Sequence, residues 1–203
     1  MASSVEPKRR IWVGPSEYFV DSIGAAFDAA RMRFQPLTFV RIEIDLRASG
    51  LRDSLGATEH WIERIACAGD TIGSLSEGRL GMLAIGRTME QMRFDLEALW
   101  EEAIAEPGKA ARMPTLSFGI AGVEGFGDAV ESMMERAEAA LRFGRRTGGW
   151  KVVSAFRSGA MVVSDFQALM LEGAVWRLEN AEDGRAARVK PVTAVAGIGL
   201  SAD

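Results

Sequence analysis

Reactive side chains are scarce in this sequence of 203 residues, which has one cysteine, Cys67, and one histidine, His60. A single cysteine forms no internal disulfide, which suits a reducing compartment such as the cytoplasm. Nothing around Cys67 supports it as a nucleophile activated by His60, and His60 is expected on a helix surface. An excess of positive charge is also missing. The formal net charge is −4, whereas a nucleic-acid binder usually presents a net basic face. No apolar run approaches the roughly 18 residues of a membrane span. The opening stretch MASSVEPKRR lacks the apolar core of a signal peptide. Lys8-Arg9-Arg10 within it is expected to be a solvated tail. Internal repeats and low-complexity segments are absent as well.

What the chain does have is apolar mass. Apolar residues make up 48% and charged residues 26%, enough to bury a core and to argue against disorder. The length fits one large domain, or one domain with an extension.

Periodicity gives the element order. Phe19, Ile23, Ala26, Ala30 and Phe34 recur at helical spacing behind Ser16 as N-cap, and the helix should end near Gln35-Pro36. Leu37 to Leu46 is dense in β-branched residues, a central strand ending acid-x-acid at Glu43 and Asp45. One or two short helices are expected around Leu51–Leu55 and Thr58–Cys67. Thr71–Leu75 and Leu80–Ile85 form a hairpin around Ser76-Glu77-Gly78-Arg79. Thr88-Met89-Glu90-Gln91 is a capping box for a helix with Met89, Met92, Leu96, Leu99, Trp100 and Ala103 on one face. The other Trp and Met residues are assigned to the core.

Leu116 to Val153 is the most informative stretch. A short apolar strand runs to Gly122, and a Gly-rich turn follows to Gly127. Val130, Met133, Met134, Ala137 and Leu141 then make a helical stripe. Gly148-Gly149 stops that helix, and Trp150-Lys151-Val152-Val153 begins another strand. Strand, helix, strand at this length is a crossover unit that packs on a sheet. Beyond it, Ser164–Leu171 is expected to be a short helix, with strands at Ala174–Leu178 and Ala187–Val192.

Within this stretch Ser117, Gly119, Ile120 and Ala121, then Ala137, Glu138, Ala140 and Leu141, then Gly148, follow one another in a register that resembles the C-terminal third of a GGDEF domain, the diguanylate cyclase family. The preceding helix, strand and hairpin follow the same family's order from Pro15. The resemblance implies an α/β (α+β) nucleotidyl-cyclase palm, a ferredoxin-like sheet flanked by helices, over residues 15–155. Residues 156–203 form a C-terminal extension expected to pack on that domain, or to serve as an interface through Phe166, Leu169, Met170, Leu171, Val175 and Trp176.

The resemblance also implies a chemistry. The family joins two GTP molecules with Mg²⁺ held by two carboxylates. Here Glu43 and Asp45 stand at the strand acids as remnants. In the hairpin, Ser76 and Glu77 replace two glycines, Gly78 replaces the metal carboxylate, and Arg79, before Leu80, reverses the charge of the next acid. Arg52 stands where guanine is read by Asn. Cys67 and Asp70 occupy the product-inhibition motif, which has lost its Arg. Arg142, Arg145, Arg146 and Lys151 keep a basic patch after the last helix, a candidate nucleotide-phosphate site or else a solvated helix end. The expectation is a GGDEF-like domain without catalytic residues, metal or cofactor, acting in the cytoplasm on a protein partner, itself or a related signalling protein. The alternative is a non-catalytic receptor for GTP or cyclic di-GMP.

Overall fold

The computed structural model describes residues 16–45, 62, 64–67, 69–76, 78–105, 115–166 and 193–196. The elements are α1 (Ser16–Arg33), β1 (Leu37–Asp45), β2 (Thr71–Ser76), β3 (Arg79–Ile85) and α2 (Met89–Ala105). Then come β4 (Thr115–Gly122), α3 (Val130–Arg146), β5 (Lys151–Ala155), β6 (Met161–Asp165) and β7 (Thr193–Ala196). All the described strands join one sheet in the order β2-β3-β1-β4-β5-β6-β7. β1 lies antiparallel between β3 and β4, and only β4 and β5 run parallel. The expected α+β architecture is the one found.

Alternation along β1 divides the core. Val40, Ile42 and Ile44 face one cluster, with Met92, Leu96 and Trp100 of α2. Phe39 faces the other, with Phe19 and Ile23 of α1 and Met133 and Ala137 of α3. The sheet is thus covered by helices on both faces. The capping box forms as expected: the Gln91 amide N–H donates to the Thr88 hydroxyl at 3.2 Å, and the Thr88 N–H donates to the Gln91 side chain at 2.9 Å.

Glycine lets helices touch the sheet at backbone distance. A Cβ on Gly119 of β4 would lie 2.1 Å from the Ala137 carbonyl oxygen of α3. The S-x-G strand pattern therefore has a steric cause: α3 lies directly on the strand. On α1's side, Gly73 and Gly81 are cross-strand partners, and the Phe19 ring rests on both.

The entry of α3 is fixed by charge. Ala129 occupies the N-cap without a side-chain cap, and buried Asp128 takes over. Its carboxylate accepts from the Glu124 and Ala129 N–H groups, each at 3.1 Å, and from Arg136 at 2.7 and 3.0 Å. Arg136 also donates to the Gly122 carbonyl at 2.7 Å, tying helix to strand end. Burial acts to raise the Asp128 pKa, but the Arg136 and backbone hydrogen bonds outweigh it and hold the carboxyl below its ordinary value.

Several local expectations change. Phe34 is not on the α1 stripe: it takes a left-handed φ of 54° beyond the helix and is 77% exposed, while Phe27 fills the core position instead. Met32 is exposed rather than in the core. Ser164 and Asp165 belong to β6, not to a helix, because they pair with Val152 and Lys151 of β5. Phe166 is fully buried, stacked on Trp100 at 4.9 Å, so it is not available as an interface anchor. The hairpin strands extend further than expected, because Ser76 and Arg79 are already strand partners. The expected elements at 51–55, 174–178 and 187–192 lie outside the described residues, as do the side chains of Leu169, Met170, Leu171, Val175 and Trp176.

Two outcomes follow from this packing. Gly119→Ala should cost about 2 kcal/mol or more, because backbone atoms rather than a movable side chain oppose the new methyl. A urea midpoint equal to the parent's would refute the contact. Asp128→Asn should be destabilising by roughly 1.5–3 kcal/mol at neutral pH. Since the folded pKa of Asp128 is depressed, its contribution is complete above the unfolded value near 3.8 and is lost as pH falls through the folded value. Urea titrations at neutral and acid pH should therefore show the gap between parent and variant closing in acid.

Candidate functional site

The site lies where β1 ends beside the β2–β3 turn. Glu43 of β1 sits in register between Arg79 of β3 and Ser117 of β4. Its side chain is 15% exposed, and both oxygens face guanidinium groups. Arg145, in the last turn of α3, reaches one oxygen at 2.9 Å. The Arg79 Nε lies 3.2 Å from the other, an ion pair without hydrogen-bond alignment. Gly78, with φ of 69°, brings its carbonyl to the Ile44 N–H at 3.0 Å and so pins the turn to the end of β1.

A second pair extends the cluster. Arg41 precedes Glu43 by two residues and therefore shares its strand face. It pairs with Glu138 of α3, and Arg142 approaches the same carboxylate at 4.0 Å. Among the described side chains, four guanidinium groups against two carboxylates leave two positive charges in excess. Burial, and then the repulsion from Arg79 and Arg142, push the Arg41 pKa down from its usual value. The surroundings are electropositive, and an anion would be the welcome ligand here.

The other expected site residues divide. Arg146 is exposed at the end of α3, beside Arg145. Lys151 does not join them: it is buried on β5, and its ammonium is paired with Asp165 of β6. Cys67 is exposed. Asp70 is enclosed, with a side chain that has no exposure. It accepts from the Cys67 N–H at 2.7 Å and pairs with Arg87, which also reaches Asp95 at 2.9 Å and the Ile65 carbonyl at 2.9 Å. Ser76 is the exposed last residue of β2, and Leu80 is in the core. Asp45 ends β1 opposite Thr115, and its side chain lies outside the described residues, as do Arg52, His60 and Glu77. Sequence reasoning missed Arg41 and Arg87. The two-residue spacing from Glu43 could have found Arg41. No local pattern points to Arg87, because Asp70 meets it only through the fold.

By sequence, no family model and no curated relative matches the chain. Solved structures do. The active GGEEF domain of a diguanylate cyclase from Vibrio cholerae matches with a TM-score of 0.60 and 14% identity, over 70% of this chain and 97% of that one. The GGDEF domain of FimX from Pseudomonas aeruginosa matches with a TM-score of 0.59 and 23% identity, over 74% and 99%. The GGDEF domain of DgcB from Caulobacter crescentus, in complex with c-di-GMP, matches with a TM-score of 0.56 and 19% identity, over 73% and 98%. The chain has the fold of a GGDEF domain. That fold is a nucleotidyl-cyclase palm, and in this chain β6 and β7 lie at one edge of its sheet.

A palm of this class implies Mg²⁺, which takes hard oxygen ligands. The described residues do not fit it at this place: Glu43 is engaged on both sides by guanidinium groups, Gly78 offers no side chain, and Arg79 adds a positive charge. Among the described residues no three His, Cys, Asp or Glu side chains come together as a ligand set.

A double-mutant cycle on Glu43→Gln and Arg145→Gln should give a coupling of about 0.2–1 kcal/mol, since Arg145 is about half exposed. That coupling should weaken in high salt. No coupling at any salt concentration would mean that the pair does not form.

Proposed function

We propose that this chain is a GGDEF-fold domain without cyclase activity, working in the cytoplasm as a regulatory or protein-binding module of cyclic di-GMP signalling. The observation that carries this reading is the Arg79–Glu43–Arg145 arrangement. Phosphoryl transfer between nucleotides relies on metal to bridge phosphate oxygens and absorb developing charge. A carboxylate whose charge is offset by two guanidinium groups attracts a cation only weakly. A fixed arginine at the hairpin also repels one. The folded scaffold is retained around this site, with its helix stripes and capping intact, so the domain still presents defined surfaces. The most direct use of such a scaffold is contact with another protein, a second copy or a related signalling protein.

A second reading is a receptor that binds GTP or cyclic di-GMP without turnover. The excess positive charge of Arg41, Arg79, Arg142 and Arg145 favours it, as does the complex of the similar DgcB domain with c-di-GMP. The Cys67–Asp70 motif argues against tight binding at that point, because Asp70 is already held by Arg87 and enclosed.

The purified chain, incubated with GTP and Mg²⁺ or Mn²⁺, should form no cyclic di-GMP above a protein-free control. Product above that control would overturn the proposal. Thermal unfolding separates the two readings: a nucleotide at 100 times its Kd adds about 2.7 kcal/mol of stability, so a metal-independent shift with either nucleotide would favour the receptor.

A further inference from the structure

The opposite end of β1 carries a cleft that none of the cyclase-related residues enters. It lies where α1 ends, β1 starts, β4 ends and α2 begins, with a volume of about 390 Å³. Leu37 at this end and Glu43 are six residue steps apart, roughly 20 Å of strand, so the two places are distinct. The volume is within the range of about 300–1,000 Å³ typical of small-molecule sites. Ala30, Leu37, Met89 and Val123 supply apolar walls.

Its backbone is already ordered. The Val123 N–H donates to the Leu37 carbonyl at 3.0 Å, the Gly86 N–H to the Pro36 carbonyl at 2.8 Å, and the Thr38 hydroxyl to the Arg87 carbonyl at 2.8 Å. A Cβ on Gly122 would lie 2.8 Å from the Met89 side chain, so glycine keeps that wall thin.

Two features mark the mouth. Phe34 and Phe126 stand 77% and 72% exposed and meet edge to face at 5.7 Å. Phe34 does so from a left-handed backbone, φ 54°, a conformation that costs a non-glycine residue roughly 1–2 kcal/mol. Exposing a large apolar ring through a strained backbone is unfavourable twice over for an unliganded surface. The second feature is Arg31, which also lines the cleft. It donates to the Phe126 carbonyl at 2.9 Å and lies over the Phe27 ring, and no described carboxylate pairs with it.

We propose that this cleft binds a small amphipathic anion, an apolar chain or ring system with one carboxylate or sulfonate. The apolar body lies against Leu37, Met89 and Val123 and is covered by the Phe34–Phe126 pair. The acid group meets Arg31 at the mouth. Burial of the apolar body supplies the attraction, and the guanidinium selects for negative charge.

The test uses the full chain with 1-anilinonaphthalene-8-sulfonate as fluorescent probe. Octanoate and 1-octanol serve as competitors of equal chain length. The probe should bind at one saturable site. Octanoate should displace it about tenfold more effectively than octanol, the size expected for one charge-assisted hydrogen bond. Phe34→Gly should weaken probe binding while leaving the melting temperature unchanged or higher, because glycine accepts the positive φ without strain. Arg31→Gln should abolish the preference for octanoate. No saturable probe binding, or equal binding by the parent and both variants, would overturn the proposal. The stability of Phe34→Gly removes unfolding as an explanation for its loss of binding, and Arg31→Gln tests the charge independently of the ring.

Discussion

The seat of α3 on β4 is the constraint from which the charged site follows. Gly119 removes the one atom that would hold the helix off the strand, and the Asp128–Arg136 pair fixes where the helix begins. With one end anchored and the middle in backbone contact, the remaining turns have no freedom in azimuth. Glu138 is therefore delivered over Arg41, and Arg145 over Glu43. The ion pairs do not place the helix. They are consequences of a placement already made by sterics and by a buried carboxylate with four donors.

That order bears on energetics. Arg145 is about half exposed and Arg79 nearly so, which limits what their attraction to Glu43 adds to stability. Glu43 itself is mostly withdrawn from water, and an unpaired carboxylate there would be costly. The two arginines thus matter most by preventing a penalty. They also make the local charge permanent. A metal ion can leave and return, whereas a guanidinium on the hairpin is covalently part of the site and stays charged over the whole physiological range.

The fold was legible because it rests on local signals: stripes of 3.6-residue period, a capping box with reciprocal donors, and glycines at strand positions that no side chain could occupy. Phe34 misled for an instructive reason. It continues the α1 spacing, but Pro36 bars the residue before it from helical geometry, so the chain leaves the helix and the ring swings outward. The charged site was less legible. Glu43 and Arg79 could be named from their positions in the motif. That they face each other in register across β1 and β3 is a property of the hairpin's alignment, which depends on where the turn closes. Pairings such as Asp70 with Arg87 and Lys151 with Asp165 join separate elements, and no spacing within either element encodes them.

β6 and β7, at one edge of the sheet, alter both the core and the charge pattern. β6 turns what would be the open edge at β5 into an interior position, and an exposed edge is a liability for edge-to-edge pairing. Ser164 of β6 and Phe166 just after it reach back to α2: Ser164 hydrogen-bonds buried Glu97, and Phe166 stacks on Trp100, which also packs against Trp150 at 4.7 Å. Trp150 makes that contact from a left-handed φ of 53°, held by the ring packing and by the Phe166 N–H, which donates to its carbonyl at 3.1 Å. The same strand brings Asp165 to Lys151 and neutralises a cation that would otherwise sit beside the end of α3. Completion of the sheet and trimming of the basic patch are thus one event. Among the described residues, the positive groups left around Glu43 and Glu138 are arginines, the side chains suited to planar, bidentate recognition of anions.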